Sequence, residues 1–209
     1  EYDAGSIADA EAIEYAVRMR RLPDDRTFDA LLARAELDAG LLDALARRIA
    51  AFHAAAASGP EVSRWGGFAT VAGNARENFD QVEPYVGETV SDGVFTRLRD
   101  LTEDGLRRLE PVIEPRAARH VTRDTHGDLH LKHVYSFPAA PPPGDLVVVD
   151  CIEFNERFRF GDPVADIAFL DMDLRFQGRP DLAEAFCEAW FEAAGDGEGR
   201  ELRSFYSAY

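Results

Sequence analysis

A five-residue run, Leu146-Val147-Val148-Val149-Asp150, constrains the fold of this chain most, because consecutive branched apolar side chains favour a buried strand. Its predicted partner is Val134–Phe137, across a Pro138–Gly144 loop too proline-dense to join a sheet. Around this hairpin the apolar residues recur at helical spacing. A lone hairpin cannot form a layer for 209 residues, so helices must build most of the core. The expected class is α+β, mainly helical with short β-hairpins.

The helical period runs through Phe28, Leu31, Leu32 and Leu37, then after Gly40 through Leu41, Leu42, Leu45, Ile49 and Phe52, predicting two packed helices. Ser58 to Gly73, rich in Gly and Ser, reads as loop, and Val94 to Leu109 as a helix ending near Pro111. Further helices are expected through Ile167 and Leu174, through Leu182 and Trp190, and from Leu202 to Tyr209. Ile13 to Arg21 alternates like a half-buried strand, stopped by Pro23 and Asp24-Asp25. By default Trp65, Trp190 and the helically spaced Phe residues belong to the core, His53 to a helix face and His120 to a strand edge. The chain stops inside an apolar helical pattern, which suggests a segment of a longer protein.

Charge excludes some classes. There are 23 Lys and Arg against 39 Asp and Glu, a net charge of −16 spread along the chain, whereas binding to nucleic acid needs clustered cations. No stretch approaches the roughly 20 apolar residues of a membrane helix. Two cysteines, Cys151 and Cys187, make no disulfide framework, and the first ten residues lack signal-peptide character. A cytoplasmic protein is expected, with Cys151 a small buried side chain.

The chemistry concentrates in His126-Gly127-Asp128-Leu129-His130-Leu131-Lys132-His133, a polar loop between apolar segments, followed by the strand-terminal Asp150. One reading is a zinc hydrolase with His126, Asp128, His130 and His133 as donors, although the spacing is not the helical H-E-x-x-H. The other is phosphoryl transfer, in which a loop Asp accepts the proton of a substrate hydroxyl and an Asp at the next strand end holds Mg²⁺ on the nucleotide phosphates. The strand, loop, strand order suits the second.

The same residues carry a resemblance. HGDLHLKHVY resembles the catalytic loop of the aminoglycoside phosphotransferase and choline kinase-like families, whose pattern is H-G-D-x-H-x-x-N. VVVDCIEFN and GDPVADIAFL resemble that family's metal-binding strand end and the helix after it. More narrowly, DCIEFNERFRF with DIAFLDMDL resembles the phosphotransferase-like domain of bacterial proteins that often carry a P-loop kinase domain downstream. The resemblance implies a protein-kinase-like C-lobe over residues 26–209, preceded in 1–25 by a remnant of the small N-lobe and hinge, most of the N-lobe being absent. ATP and Mg²⁺ are the implied cofactors, and a small-molecule acceptor and a fused or partner P-loop kinase domain the implied partners.

Residue by residue, the resemblance makes Asp128 the general base or orienter of the acceptor hydroxyl and Asp150 the principal Mg²⁺ ligand. His126 would brace the loop and Asp166 tie its backbone, while Glu153 and Asn155 border the metal or form the turn. His133 stands where the family has an Asn that binds a second Mg²⁺; imidazole suits hard Mg²⁺ less well than an amide oxygen and could admit a softer ion such as Mn²⁺. EYAVRMRRLP resembles the last small-lobe strand and hinge, with Met19 behind adenine and the backbone of Arg20 and Leu22 pairing with the base.

One departure divides the functional readings. No Gly-rich phosphate loop precedes residue 22, and Lys132 is the single lysine, so the usual Lys-Glu pair cannot form within this chain. ATP- and Mg²⁺-dependent transfer of a phosphoryl group to a small-molecule hydroxyl is the first expectation. A non-catalytic, pseudokinase-like regulatory domain of a larger multidomain protein is the second. Asp171 and Asp173 either attract a cationic acceptor or belong to a solvated helix face.

Overall fold

Two side-chain caps start the helical core. In the computed structural model, which describes residues 21–208, the Thr27 side chain accepts the Ala30 N–H at the head of α1 (Phe28–Ala33). Asp38 accepts the Leu41 N–H at the head of α2 (Ala39–Ala55), so the boundary lies at Asp38 and not at Gly40. All but the last residue of the strand expected from Ile13 to Arg21, with Met19, Arg20 and most of the expected N-lobe remnant, lies outside the described residues.

The region expected as loop from Ser58 to Gly73 instead holds α3 (Pro60–Ser63) and the start of α4 (Phe68–Val82). One of its glycines marks tight packing: a Cβ on Gly66 would lie 2.0 Å from Thr122 Oγ1. The buried residues Val71, Ala72 and Ala75 lie on one face of α4. Nor does the next helix end at Pro111, since α5 runs from Asp92 to Ala118 with Pro111 and Pro115 inside it. Both prolines are exposed, so the carbonyls they deprive of donors, those of Arg107 and Pro111, lie on the solvent side. His120, expected at a strand edge, follows the end of α5 with a left-handed φ of 59° and its ring hydrogen-bonded to Ser63 Oγ at 2.9 Å.

The expected hairpin forms as β2 (Val134–Ser136) antiparallel to β3 (Leu146–Val148), with Tyr135 opposite Val147. A second small ladder pairs β1 (Arg123–Asp124) with β4 (Phe160–Gly161), and α6 (Glu156–Arg159) leads into β4. Then α7 (Pro163–Phe176) packs on α8 (Pro180–Ala194) and α9 (Arg200–Tyr206), while α8 lies along α2. Phe28, Leu42, Leu45, Ile167, Phe186 and Trp190 fill the core where these helices meet. The fold is α+β, mainly helical with a few short antiparallel strands. No helix among the described residues is long and apolar enough to cross a membrane.

One buried cation joins the helices under the site. Arg116 of α5, 2% exposed, donates to both carboxylate oxygens of Asp162 (2.7 and 3.1 Å) and to both of Asp196 (2.8 and 2.6 Å). Asp162 also caps α7 by accepting the Val164 N–H at 2.9 Å. Burial alone would weaken the charge on Arg116, but its two carboxylate partners outweigh that and hold the guanidinium firmly protonated.

Candidate functional site

The loop between β1 and β2 is pinned by its own apolar residues. Leu129 and Leu131 are fully buried, leaving Asp128 and His130 between them partly exposed. Gly127 adopts φ 79°, and a Cβ there would lie 2.7 Å from the Phe158 carbonyl oxygen and 3.1 Å from Ile152. Glycine is therefore required by both conformation and space.

Asp166, buried on α7, accepts the backbone N–H of His126 at 3.2 Å through one oxygen and that of Gly127 at 2.8 Å through the other. It also accepts from His53 Nε2 at 2.9 Å. The ring of His53 is fixed in turn, because its Nδ1 accepts the Trp190 indole N–H at 3.3 Å and the proton is left on Nε2. Burial opposes ionisation of Asp166, yet the hydrogen bonds from His53 and Gly127 prevail and hold its carboxyl below the usual carboxylate range.

His126 joins the loop to β3. Its Nδ1 accepts the Asp128 N–H at 3.3 Å, leaving the proton on Nε2, which donates to the Val149 carbonyl at 2.8 Å. The His133 Nδ1–H donates to the Asp128 carbonyl at 2.8 Å, so its Nε2 lone pair faces Asp150 Oδ2 at 3.4 Å. Asp150 has a left-handed φ of 67°, an uncommon conformation for a residue with a side chain, and that side chain is 78% exposed. The turn also carries Cys151, expected to be buried, out to solvent.

A second imidazole adjoins Asp128. His130 Nε2 lies 3.0 Å from Asp128 Oδ1, and its Nδ1 lies 3.4 Å from Asp173 Oδ2, which itself accepts the Leu131 N–H at 3.0 Å. Asp128, His126, His133 and Asp150 are thus gathered at one end of the β2–β3 hairpin. Leu22 is half-buried ahead of a 3-10 turn at Asp24–Arg26. Asn155 forms the turn, accepting the Arg157 N–H at 3.0 Å as the cap of α6, and Glu153 is exposed.

The zinc donor set does not assemble. Both ring nitrogens of His126 are engaged with backbone, and among the described residues no group of three or more His, Cys, Asp and Glu is arranged to hold a metal. Asp171, expected either to attract a cationic acceptor or to lie on a solvated helix face, is buried and accepts from Arg203 at 2.8 Å and Arg175 at 2.9 Å, as well as from Ser207. Burial works against its ionisation, but these donors hold its carboxyl below the usual range. Asp173 is only partly exposed.

Sequence reasoning put His53 on a helix face but gave it no part in the site, and it underrated His130 and Asp173. His53 continues the buried stripe Leu42, Leu45, Ala46, Ile49 and Ala50, so a histidine on an apolar face was the available signal. Asp171 likewise continues the buried stripe Val164, Ile167 and Ala168.

The chain is similar to an uncharacterized protein of Mycobacterium bovis and to two uncharacterized proteins of Mycobacterium tuberculosis, each 30% identical over 196 residues. The match covers 94% of this chain, which spans 38% of the length of these relatives. No family model and no solved structure matches the chain.

Proposed function

We propose that this chain is a protein-kinase-like C-lobe of the aminoglycoside phosphotransferase kind, transferring a phosphoryl group from ATP to a hydroxyl of a small molecule in a Mg²⁺-dependent reaction. The observation that carries the reading is the junction made by His133, whose two ring nitrogens address the Asp128 backbone and the Asp150 carboxylate at 2.8 and 3.4 Å. The base and the metal ligand of such a reaction are thereby held on one rigid frame.

In this reading Asp128 takes the acceptor's proton as the hydroxyl oxygen bonds to the γ-phosphorus and the bond to the bridging oxygen of ADP breaks. His130 orients the Asp128 carboxylate, while His126 and Asp166 fix the loop backbone. Asp150 would supply the carboxylate donor to Mg²⁺, whose remaining ligands would come from water and phosphates, while His133 Nε2, 3.4 Å from Asp150 Oδ2, is the softer donor that would favour Mn²⁺. Bound there, the ion would neutralise charge on the phosphates. A fused or partner P-loop kinase domain belongs to the same proposal, since the mycobacterial relatives extend well beyond the shared stretch.

Calorimetric titration with ATP, with and without Mg²⁺, tests this reading on the chain and on Asp150→Ala. Binding should need both the ion and Asp150, and Asp128→Ala should bind nucleotide but abolish transfer in the full-length protein. Binding indifferent to Mg²⁺ and to Asp150 overturns the reading.

The single lysine favours a second reading. Lys132 is exposed on the loop, and no other lysine in the chain can meet α- and β-phosphates. A regulatory pseudokinase-like domain would bind nucleotide, or a partner, without turnover. Full-length protein that binds Mg²⁺-ATP yet transfers nothing to any alcohol or to water would establish it.

A further inference from the structure

Helices α4 and α5 make a hairpin whose far end, residues 80–104, stands out from the core. Phe95 is the one buried residue in that stretch, packed edge-on against Phe79 of α4 with ring centroids 5.7 Å apart. Nearer the body, Arg76 of α4 pairs with Glu103 of α5 at 2.7 Å. Such an arm buries one face and should be polar on the others. Val94, Leu98 and Leu101 break that pattern, being 50%, 50% and 56% exposed. With Gly105 they recur at steps of four, three and four residues, so all four lie on one face of α5. Gly105 is covered: the Phe205 ring of α9 sits where a Cβ would stand 3.1 Å from it. A helix thus occupies this face close to the body, and the same face runs on bare for about two turns beyond it.

Charge narrows what can lie there. Residues 80–104 carry seven Asp and Glu against two Arg, a net charge of −5. A shallow groove beside the bare stripe is lined by Leu101 with Asp92, Asp100 and Asp104, and its one cation is Arg97. Asp104 is paired with Arg107, whereas no described cation pairs with Asp92 or Asp100. A second copy of the arm would set one net charge of −5 against another, and an anionic membrane would be repelled in the same way. A cationic partner is attracted.

We infer that Val94, Leu98 and Leu101 seat a basic amphipathic helix of a partner protein. Its apolar face extends the packing that α9 begins at Gly105, and its Lys or Arg side chains meet the unpaired carboxylates of the groove, Asp100 foremost. The inference does not rest on the phosphotransfer reading, because no residue of the stripe or the groove belongs to the site around Asp128.

Two labelled three-heptad peptides probe the stripe by fluorescence anisotropy, both with Leu at a and d, one with Lys and the other with Glu at e and g. At low salt the Lys peptide should bind about tenfold more tightly than the Glu peptide, and added salt should narrow the difference. Leu98→Glu, at an exposed position, should weaken the Lys peptide about tenfold although it adds a negative charge. Attraction to the net charge alone would be strengthened by that substitution, so its direction separates docking from bulk electrostatics. Asp100→Asn should weaken the Lys peptide about twofold to threefold and flatten its salt dependence. Far-UV circular dichroism checks that each variant is folded. Equal binding of the two peptides, binding of neither, or Lys-peptide binding that survives Leu98→Glu overturns the inference. A dimer of the chain alone, seen by sedimentation and dissolved by Leu98→Glu, overturns it as well and gives the stripe to a second copy.

Discussion

Replacing Asp166 by Asn removes a charge while keeping the shape, and the geometry sets the cost. The carboxylate accepts three donors: Gly127 N–H at 2.8 Å on one oxygen, and His126 N–H at 3.2 Å with His53 Nε2–H at 2.9 Å on the other. An amide has one acceptor oxygen, so its NH₂ must face either Gly127 or the other two. His53 cannot relieve the conflict by moving its proton, because Nδ1 already accepts from Trp190. The less costly orientation leaves the Gly127 N–H unpaired, about 1–3 kcal/mol, and weakens two charge-assisted bonds by about 1 kcal/mol each. Relief from burying a charge offsets part of this, for a net loss of about 3 kcal/mol, a substantial share of the ~5–15 kcal/mol that holds a domain folded.

Urea unfolding followed by far-UV circular dichroism should show a lower midpoint at unchanged slope. The folded Asp166 carboxyl is held below its ordinary value, so its contribution is complete above the unfolded value near 3.9 and is lost as pH falls from there through the folded value. The gap between wild type and Asp166→Asn should therefore stay constant from about pH 7 to 5 and narrow below about pH 4. A loss under about 1 kcal/mol at pH 7, or a gap that widens in acid, would refute the network.

Two further substitutions probe the frame. Gly127→Ala combines a left-handed backbone with a Cβ 2.7 Å from the Phe158 carbonyl, and should cost about 2–4 kcal/mol, read as a melting temperature lowered by roughly 5–10 °C. An unchanged melting temperature would mean the loop is looser than described. Arg116→Met strands the carboxylates of Asp162 and Asp196 and should cost about 3–5 kcal/mol in urea unfolding at neutral pH. A neutral result would show that water reaches those carboxylates.

The site was legible where it is local. Asp128, His126 and His133 lie within eight residues, and the apolar run before Asp150 announces a strand end, so their grouping followed from sequence neighbours. His53 and Trp190 were opaque because their partnership depends on α2 lying along α8, 137 residues apart in the chain. Helix α4 was hidden by Gly66 and Gly67, which look like loop residues although Gly66 serves close contact with Thr122. The prolines of α5 misled similarly, because a proline disfavours a helix interior without always ending it, and α5 runs on through both, with their freed carbonyls toward solvent. The left-handed turn at Asp150 left no trace in residue type, since aspartate visits that conformation only occasionally.

The order in which the chain is made bears on the bond from Trp190 to His53. On a ribosome, His53 emerges early and the 126–128 loop follows, but the indole that fixes the His53 tautomer comes about 60 residues after the loop, roughly 3–12 s later at ~5–20 residues per second. Until α8 arrives, Asp166 can accept from the His126 and Gly127 N–H groups, but its third donor, His53, lacks the bond from Trp190 that fixes its proton on Nε2. Assembly of the site is thus a late event in biosynthesis, and a nascent chain arrested before Trp190 should carry the HGD motif without its final setting.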